Sequence, residues 1–133
     1  HYIGCGAGRV GENIAKMLRE QKKDYVLLEK NSELAKDLEE KGYLVLHGPS
    51  IEEGTLSKAQ IKKAKFLVAC TGEDAKNVLI ILTAKELNPS LVIAARANEQ
   101  SMVKKLIRAG ANHIFLPELL GANEVVKELS FYK

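Results

Sequence analysis

Short apolar runs alternate along this chain with longer stretches whose apolar residues recur every three or four positions. The short runs are Tyr2–Gly6, Tyr25–Glu29, Tyr43–Leu46, Phe66–Thr71, Leu91–Ala95 and His113–Leu116. They read as strands of a buried sheet. Between them, Ile14, Met17 and Leu18 mark the apolar face of a first helix, and Leu34 and Leu38 that of a second. Ser50-Ile51-Glu52-Glu53 has the spacing of a capping box, in which serine and glutamate satisfy free N–H groups reciprocally, and predicts the start of a third. The fourth runs from near Glu73 to Leu87 and stops before Asn88-Pro89, because the residue preceding a proline is pushed out of the helical region. Met102, Val103, Leu106 and Ile107 line a fifth, which Gly110 is placed to end. Glu118 to Tyr132 reads as a sixth.

Strict alternation of six strands with helices implies an α/β fold with a parallel sheet covered on both faces. Right-handed crossovers then leave few topologies. The doubly wound Rossmann order 3-2-1-4-5-6 is the expected one, in a single domain spanning residues 1–133.

The chemistry concentrates where the first strand meets the first helix. Gly6-Ala7-Gly8-Arg9-Val10-Gly11 has the glycine spacing of a dinucleotide-binding loop, in the strand-to-helix context which that loop requires. Gly6 permits the tight turn, Gly8 lets a pyrophosphate approach the backbone, and Gly11 lets helix and strand pack closely. The helix N-terminus offers free N–H groups and partial positive charge to phosphates. Glu29 ends the second strand, 18 residues after Gly11. A carboxylate there accepts hydrogen bonds from ribose hydroxyls and repels a 2′-phosphate, which favours NAD or an adenine mononucleotide over NADP. Lys30, beside it, weakens that preference. The alternative is a Rossmann fold whose pocket is no longer used. No Walker-type loop is present, which argues against phosphoryl transfer by that route.

Composition changes the picture little. The 133 residues suffice for one domain, and 46% are hydrophobic, enough for a core. Twenty Lys and Arg against 17 acids give a net charge of +3, with the basic residues interspersed among glutamates. No concentrated basic face is expected, and hence no nucleic-acid partner. Cys5 and Cys70 each end an apolar run and read as buried thiols rather than a disulfide framework. No stretch approaches the roughly 20 apolar residues of a membrane span. The chain opens on His1 within strand-like sequence, so it reads as a domain cut from something longer.

With Thr71-Gly72-Glu73-Asp74 and Asn77, and Ala95-Arg96-Ala97-Asn98, added to the glycine loop, the chain resembles the RCK family, also called KTN or TrkA-N domains. His1-Tyr2-Ile3, Ala109-Gly110-Ala111-Asn112-His113 and Leu116-Pro117-Glu118 extend the resemblance over essentially the whole chain. The opening His-Tyr and Leu120-Gly121-Ala122-Asn123 are more like the channel branch than the soluble Trk-type subunits. The resemblance implies a cytoplasmic regulator of a potassium channel or transporter, binding NAD(H) or ATP, ADP or AMP. It implies a self-associating domain, as a dimer or a larger ring, partnered by a membrane-embedded pore or transporter subunit and not itself inserted in the membrane.

Carried over residue by residue, Gly6, Ala7, Gly8, Arg9, Val10 and Gly11 would hold phosphates, and Glu29 with Lys30 would flank the ribose. Ser50, Thr71, Gly72 and Arg96 would complete the cleft, Arg96 reaching either a phosphate or a partner subunit. There are departures. Gly4 stands where relatives carry a β-branched residue and suggests a bulge or a close approach. Gly48-Pro49-Ser50 replaces a Gly-Asp-Ala run. Cys70, Arg96 and Asn98 occupy the places of carboxylates that hold calcium in some channel members, so no metal site of that type is expected. His47 and His113 read as structural.

Two rival functions remain. An NAD-dependent oxidoreductase would use the same cofactor loop, but it needs a substrate domain and a proton donor, and neither a Tyr-x-x-x-Lys pair nor a histidine flanked by acids is present. A ligand-free assembly module is the other. The consecutive apolar run Val78–Leu82, and Leu119, Leu120, Val125, Val126 and Leu129 in the last helix, exceed what one sheet-facing stripe requires and point to self-association.

Overall fold

The strands of the structure are β1 (Tyr2–Cys5), β2 (Tyr25–Glu29), β3 (Val45–His47), β4 (Phe66–Ala69), β5 (Val92–Arg96) and β6 (His113–Phe115). All pair in parallel, in the order β3-β2-β1-β4-β5-β6. The structure is a computed structural model and describes residues 1–132. Six helices connect or follow the strands: α1 (Arg9–Glu20), α2 (Ser32–Glu40), α3 (Glu53–Lys58), α4 (Asp74–Leu87), α5 (Val103–Ala109) and α6 (Pro117–Leu129). Fold class, strand order and all twelve elements match the sequence pattern. The third strand is shifted, starting at Val45 instead of Tyr43, and Tyr43 is buried ahead of it.

The sheet has two unequal cores. On one face Ile3, Leu28, Leu67 and Ile93 pack with Leu56, Ile80, Ile81 and Leu106 from α3, α4 and α5. On the other, Leu27 packs with Ala15, Leu38 and Tyr43 under α1 and α2. On β4 and β5 the alternate residues Phe66, Val68, Val92 and Ala94 stay half-exposed. That half of the second face has no fully packed cover.

Several local expectations are corrected. Met17 is not on the inner face of α1; it is 58% exposed, and the buried positions are Gly11 and Ala15. Gly11 and Ala15 lie closest to the strands, with Ile14 and Leu18 partly buried beside them. The capping box at Ser50 does not form. Helix α3 starts later, with Glu52 as N-cap and no side-chain capping bond, while Ser50 is buried. Gly4 makes no bulge, since its pairing with Leu27 and Val68 is regular. A Cβ at Gly4 would lie 2.8 Å from Leu27 Cδ2, so close approach is the reason for the glycine. Gly110 ends α5 at a φ of 124°, as expected.

Asn88 does more than stop α4. Buried beneath β4, its Nδ2 donates to the carbonyls of Ile61 (2.9 Å) and Ala64 (3.0 Å), and its Oδ1 accepts from the Ser90 N–H. Asn88→Ala would leave these buried groups unpaired. It should cost about 2 kcal/mol, read as a lower urea midpoint at unchanged m-value; an unchanged midpoint would remove Asn88 from the frame.

Candidate functional site

Parallel strands bring all their C-terminal ends to one rim, and the sheet reverses direction between β1 and β4. A ligand crevice is expected at that switch point. A cleft of about 490 Å³ lies there, between the ends of β1, β2, β4 and β5. Its apolar wall is Leu28, Leu34 and Ile80.

Eight of the twelve sequence-predicted residues line it: Gly6, Gly8, Glu29, Lys30, Ser50, Thr71, Gly72 and Arg96. Ala7, Arg9, Val10 and Gly11 do not. Gly6 turns at a φ of 92°, and a Cβ on it would meet the Cys70 carbonyl oxygen at 2.8 Å. Gly11 faces the strand side, where a Cβ would fall 2.2 Å from the Gly6 oxygen. Its role is packing. Gly8 is different: it is the N-cap of α1 with φ −68°, and a Cβ there meets nothing within 4 Å. Nothing in the polypeptide demands a glycine at that position.

Glu29 has a second role that sequence reasoning missed. It is only 8% exposed. Its Oε1 accepts the Ala7 N–H and its Oε2 the Asn31 N–H, both at 2.9 Å. The carboxylate therefore clasps the glycine loop to the turn after β2. A carboxylate has about four acceptor positions, so capacity remains for two ribose hydroxyls.

The opposite wall is fixed by Asn77, which is fully buried. Its Oδ1 accepts the Thr71 N–H (3.0 Å) and hydroxyl (2.7 Å), and its Nδ2 donates to the carbonyls of Thr71 (3.2 Å) and Arg96 (3.0 Å). Asp74 accepts from the backbone N–H groups of Asn98 and Glu99. The exits of β4 and β5 are thereby stitched together. Arg96 lines the cleft, and among the described residues its buried Nε has no hydrogen-bond partner. Cys70 stands beside that guanidinium. Burial pushes its thiol up, and Arg96 partly opposes this. Burial likewise pushes the Cys5 thiol up to about 12, with a hydrogen bond from Ser50 acting against it.

Sequence reasoning also missed Glu73 and Lys76. Lys76 is paired with Glu73 at 2.6 Å, and the pairing draws the glutamate below its ordinary range. Lys30, from the facing wall, is pushed below the usual lysine range by Lys76. Glu73 stands inside the quoted motif, but nothing in the sequence shows that Lys76 and Lys30 face each other across the cleft. Elsewhere, His47 Nε2 lies 2.9 Å from the Lys30 carbonyl, and His113 is exposed. Among the described residues no group of three or more metal-ligating side chains converges.

The family model for the TrkA-N domain matches residues 2–117. The chain belongs to the TrkA-N family. This TrkA-N domain is similar to two proteins of Methanocaldococcus jannaschii. One is a probable potassium channel protein 2, 40% identical over 91% of this chain and 36% of the relative. The other is potassium channel protein 1, 36% identical over 96% and 39%. A Trk system potassium uptake protein TrkA homolog of Pyrococcus horikoshii is 32% identical, over 97% of this chain and 59% of the relative. The higher identity of the channel proteins agrees with the channel-type features read in the sequence. The domain spans little more than a third of the length of those channel relatives. Among solved structures it resembles the TrkA-N domain of the Escherichia coli inner membrane protein ybaL, with TM-score 0.89 and 26% identity over 97% of this chain and 96% of that one. It also resembles the GsuK RCK domain, with TM-score 0.82 and 27% identity over 96% and 27%. Further structures of this fold, at 24% identity, include the GsuK channel bound to NAD, GsuK bound to ADP, and a Shewanella denitrificans Kef domain in AMP-bound form.

The two loop glycines should separate in their effects. Gly11→Ala should cost about 1–3 kcal/mol by overpacking the helix–strand contact, whereas Gly8→Ser, which adds a favoured N-cap in open space, should stay within about 0.5 kcal/mol of the parent. Equal destabilisation in thermal melts would contradict the distinction.

Proposed function

We propose that this domain binds an adenine nucleotide, NAD(H) foremost and ATP, ADP or AMP by the same chemistry, and regulates a potassium channel or transporter without catalysing a reaction. The observation that carries the reading is Gly8. It is free of steric demand from the protein, yet it stands at the helix N-terminus where a pyrophosphate would touch backbone. Glu29 supports an adenosine ribose beside it, and Arg96 brings a positive charge to the opposite wall of the cleft. Structures of the same fold that hold NAD, ADP and AMP support the ligand class.

The lining residues favour binding over turnover. Glu29 is engaged by two backbone donors, Glu73 by Lys76, and burial keeps Cys70 a neutral thiol. None is a free proton donor beside a substrate-sized space.

Regulation needs two states that differ in ligand affinity. Self-association supplies them in this reading. Within the Val78–Leu82 run, Ile80 and Ile81 are buried, but Leu79 and Leu82 are 50% and 48% exposed. Helix α6 buries no residue at all, and its Leu120, Val126 and Leu129 stand in solvent. The open half of the sheet and the bare α6 suit a symmetric dimer, with α4 and α5 giving a second contact. A coupling of about 1–3 kcal/mol between nucleotide and assembly is the usual scale. The domain would act on the cytosolic side of its pore; among the described residues no helix is long and apolar enough to cross a membrane.

In calorimetry, NADH or NAD should bind to the wild type and not to Gly8→Val. Glu29→Ala should weaken NAD by about 1–3 kcal/mol and narrow its advantage over NADP. Failure of every adenine nucleotide to bind folded protein at millimolar concentration would overturn the assignment, and equal affinity for NAD and NADP would overturn the role given to Glu29.

Assembly is tested separately. Light scattering should give a dimer or larger species for the wild type. Leu82→Asp should shift it towards monomer with nucleotide binding intact. A wild type that stays monomeric at high micromolar concentration would exclude the α4 interface.

A further inference from the structure

The basic residues are interspersed along the sequence, but the fold gathers six lysines on the rim opposite the cleft. Lys22 and Lys23 form the turn before β2. Lys58 ends α3, Lys62 and Lys63 lie in the short helical turn after it, and Lys65 directly precedes β4. Backbone hydrogen bonds make these segments neighbours: the Tyr2 N–H donates to the Asp24 carbonyl, and the Lys65 N–H to the His1 carbonyl. His1, Asp24 and Lys58 share one groove with Leu44. All six lysines are exposed, and among the described residues none forms an ion pair. The acids nearest in sequence are Glu20 and Asp24 for Lys22 and Lys23, and Glu53 and Glu73 for the four lysines of residues 58–65.

Helix dipoles account for a basic residue near each helix C-terminus. They do not account for four lysines within residues 58–65, two of which follow α3 in a separate turn and one of which directly precedes a strand. The cleft rim is mixed in charge instead, with Glu12, Glu33, Glu53, Asp74 and Glu118 in the first turns of their helices and Arg9, Lys30, Lys76 and Arg96 among them. At the lysine end stands Leu44, 60% exposed at the edge of the sheet.

We propose that this lysine end docks on an anionic lipid surface. Lysine is a hydrated point charge suited to diffuse attraction, each one near such a surface adding to the binding. Specific phosphate recognition instead favours arginine forks. The nearby arginine, Arg19, already donates to the Lys41 carbonyl and lies over the Tyr43 ring. An exposed leucine among lysines suits the headgroup boundary better than a nucleic-acid backbone. Docking in this orientation points the cleft away from the bilayer, so nucleotide would enter from solution. The choice of lipid over nucleic acid rests in part on the reading of the domain as a partner of a membrane pore. The test uses no nucleotide for binding, so its failure leaves the cleft assignment standing.

The chain should sediment with phosphatidylcholine vesicles containing about one part in three phosphatidylserine, and not with phosphatidylcholine alone. Binding should be lost between about 0.05 and 0.5 M salt. Lys62→Glu/Lys63→Glu/Lys65→Glu should lower vesicle partitioning by about a hundredfold, and Lys23→Glu/Lys58→Glu by about tenfold or more. Unchanged thermal melts would show that the variants fold. Equal sedimentation with and without the anionic lipid, or full binding by both folded variants, would overturn the proposal. Tighter, salt-dependent binding to single-stranded RNA or duplex DNA than to the vesicles would overturn it in favour of a nucleic-acid surface.

Discussion

The approach of α1 onto β1 is the contact from which the site follows. The Gly11 Cα sits so near the Gly6 carbonyl that no side chain fits between them. That proximity aims the first N–H groups of α1 across the rim of the sheet, and it forces the turn at Gly6 into a conformation that favours glycine. Glu29 then fixes the loop from the other side by accepting the Ala7 N–H. A helix one methyl further from the sheet would still fold into a layer, but its N-terminus would no longer converge with the β2 carboxylate on one point.

Across the cleft the same problem is solved with side-chain amides rather than glycines. Asn77 replaces missing backbone partners at the ends of β4 and β5, using both faces of its amide within one buried network. Such a network is costly to leave half-made and specifies one arrangement. The cleft thus has two rigid walls of different construction. Its adjustable parts are the long side chains at the mouth, Lys30, Lys76 and Glu73.

The elements and their order were legible because the strands of this parallel sheet carry continuous apolar runs, and because glycine, proline and asparagine mark where those runs stop. The meeting of Gly6, Gly8 and Glu29 at one cleft was legible for the same reason: their spacing is tied to covalent geometry. What could not be read was long-range. Met17 fits the helical period but lies off the stripe that meets the sheet, which Gly11, Ala15 and the partly buried Ile14 and Leu18 define. Ser50 carries the letters of a cap, yet burial beside Cys5 claims it. Lys76 reaches the cleft because α4 starts at the exit of β4, on the wall that faces Lys30, and the lysines of residues 22–23 and 58–65 meet only because parallel strands share a starting edge. Charge interspersed along a sequence says little about charge in space.

Helix α6 has a consequence of its own. A 13-residue helix with no buried side chain is near the length at which isolated helices are marginal in water. Its backbone amides are therefore only as protected from hydrogen exchange as local helix–coil equilibrium allows, while those of β1 and β4 exchange through global opening. The domain is stable in layers, with a solid sheet and a terminal segment whose order depends on what lies against it. An element of that kind reports its surroundings by folding: coverage by another protein surface turns a fluctuating helix into a fixed one, and the ordering free energy becomes part of the binding free energy.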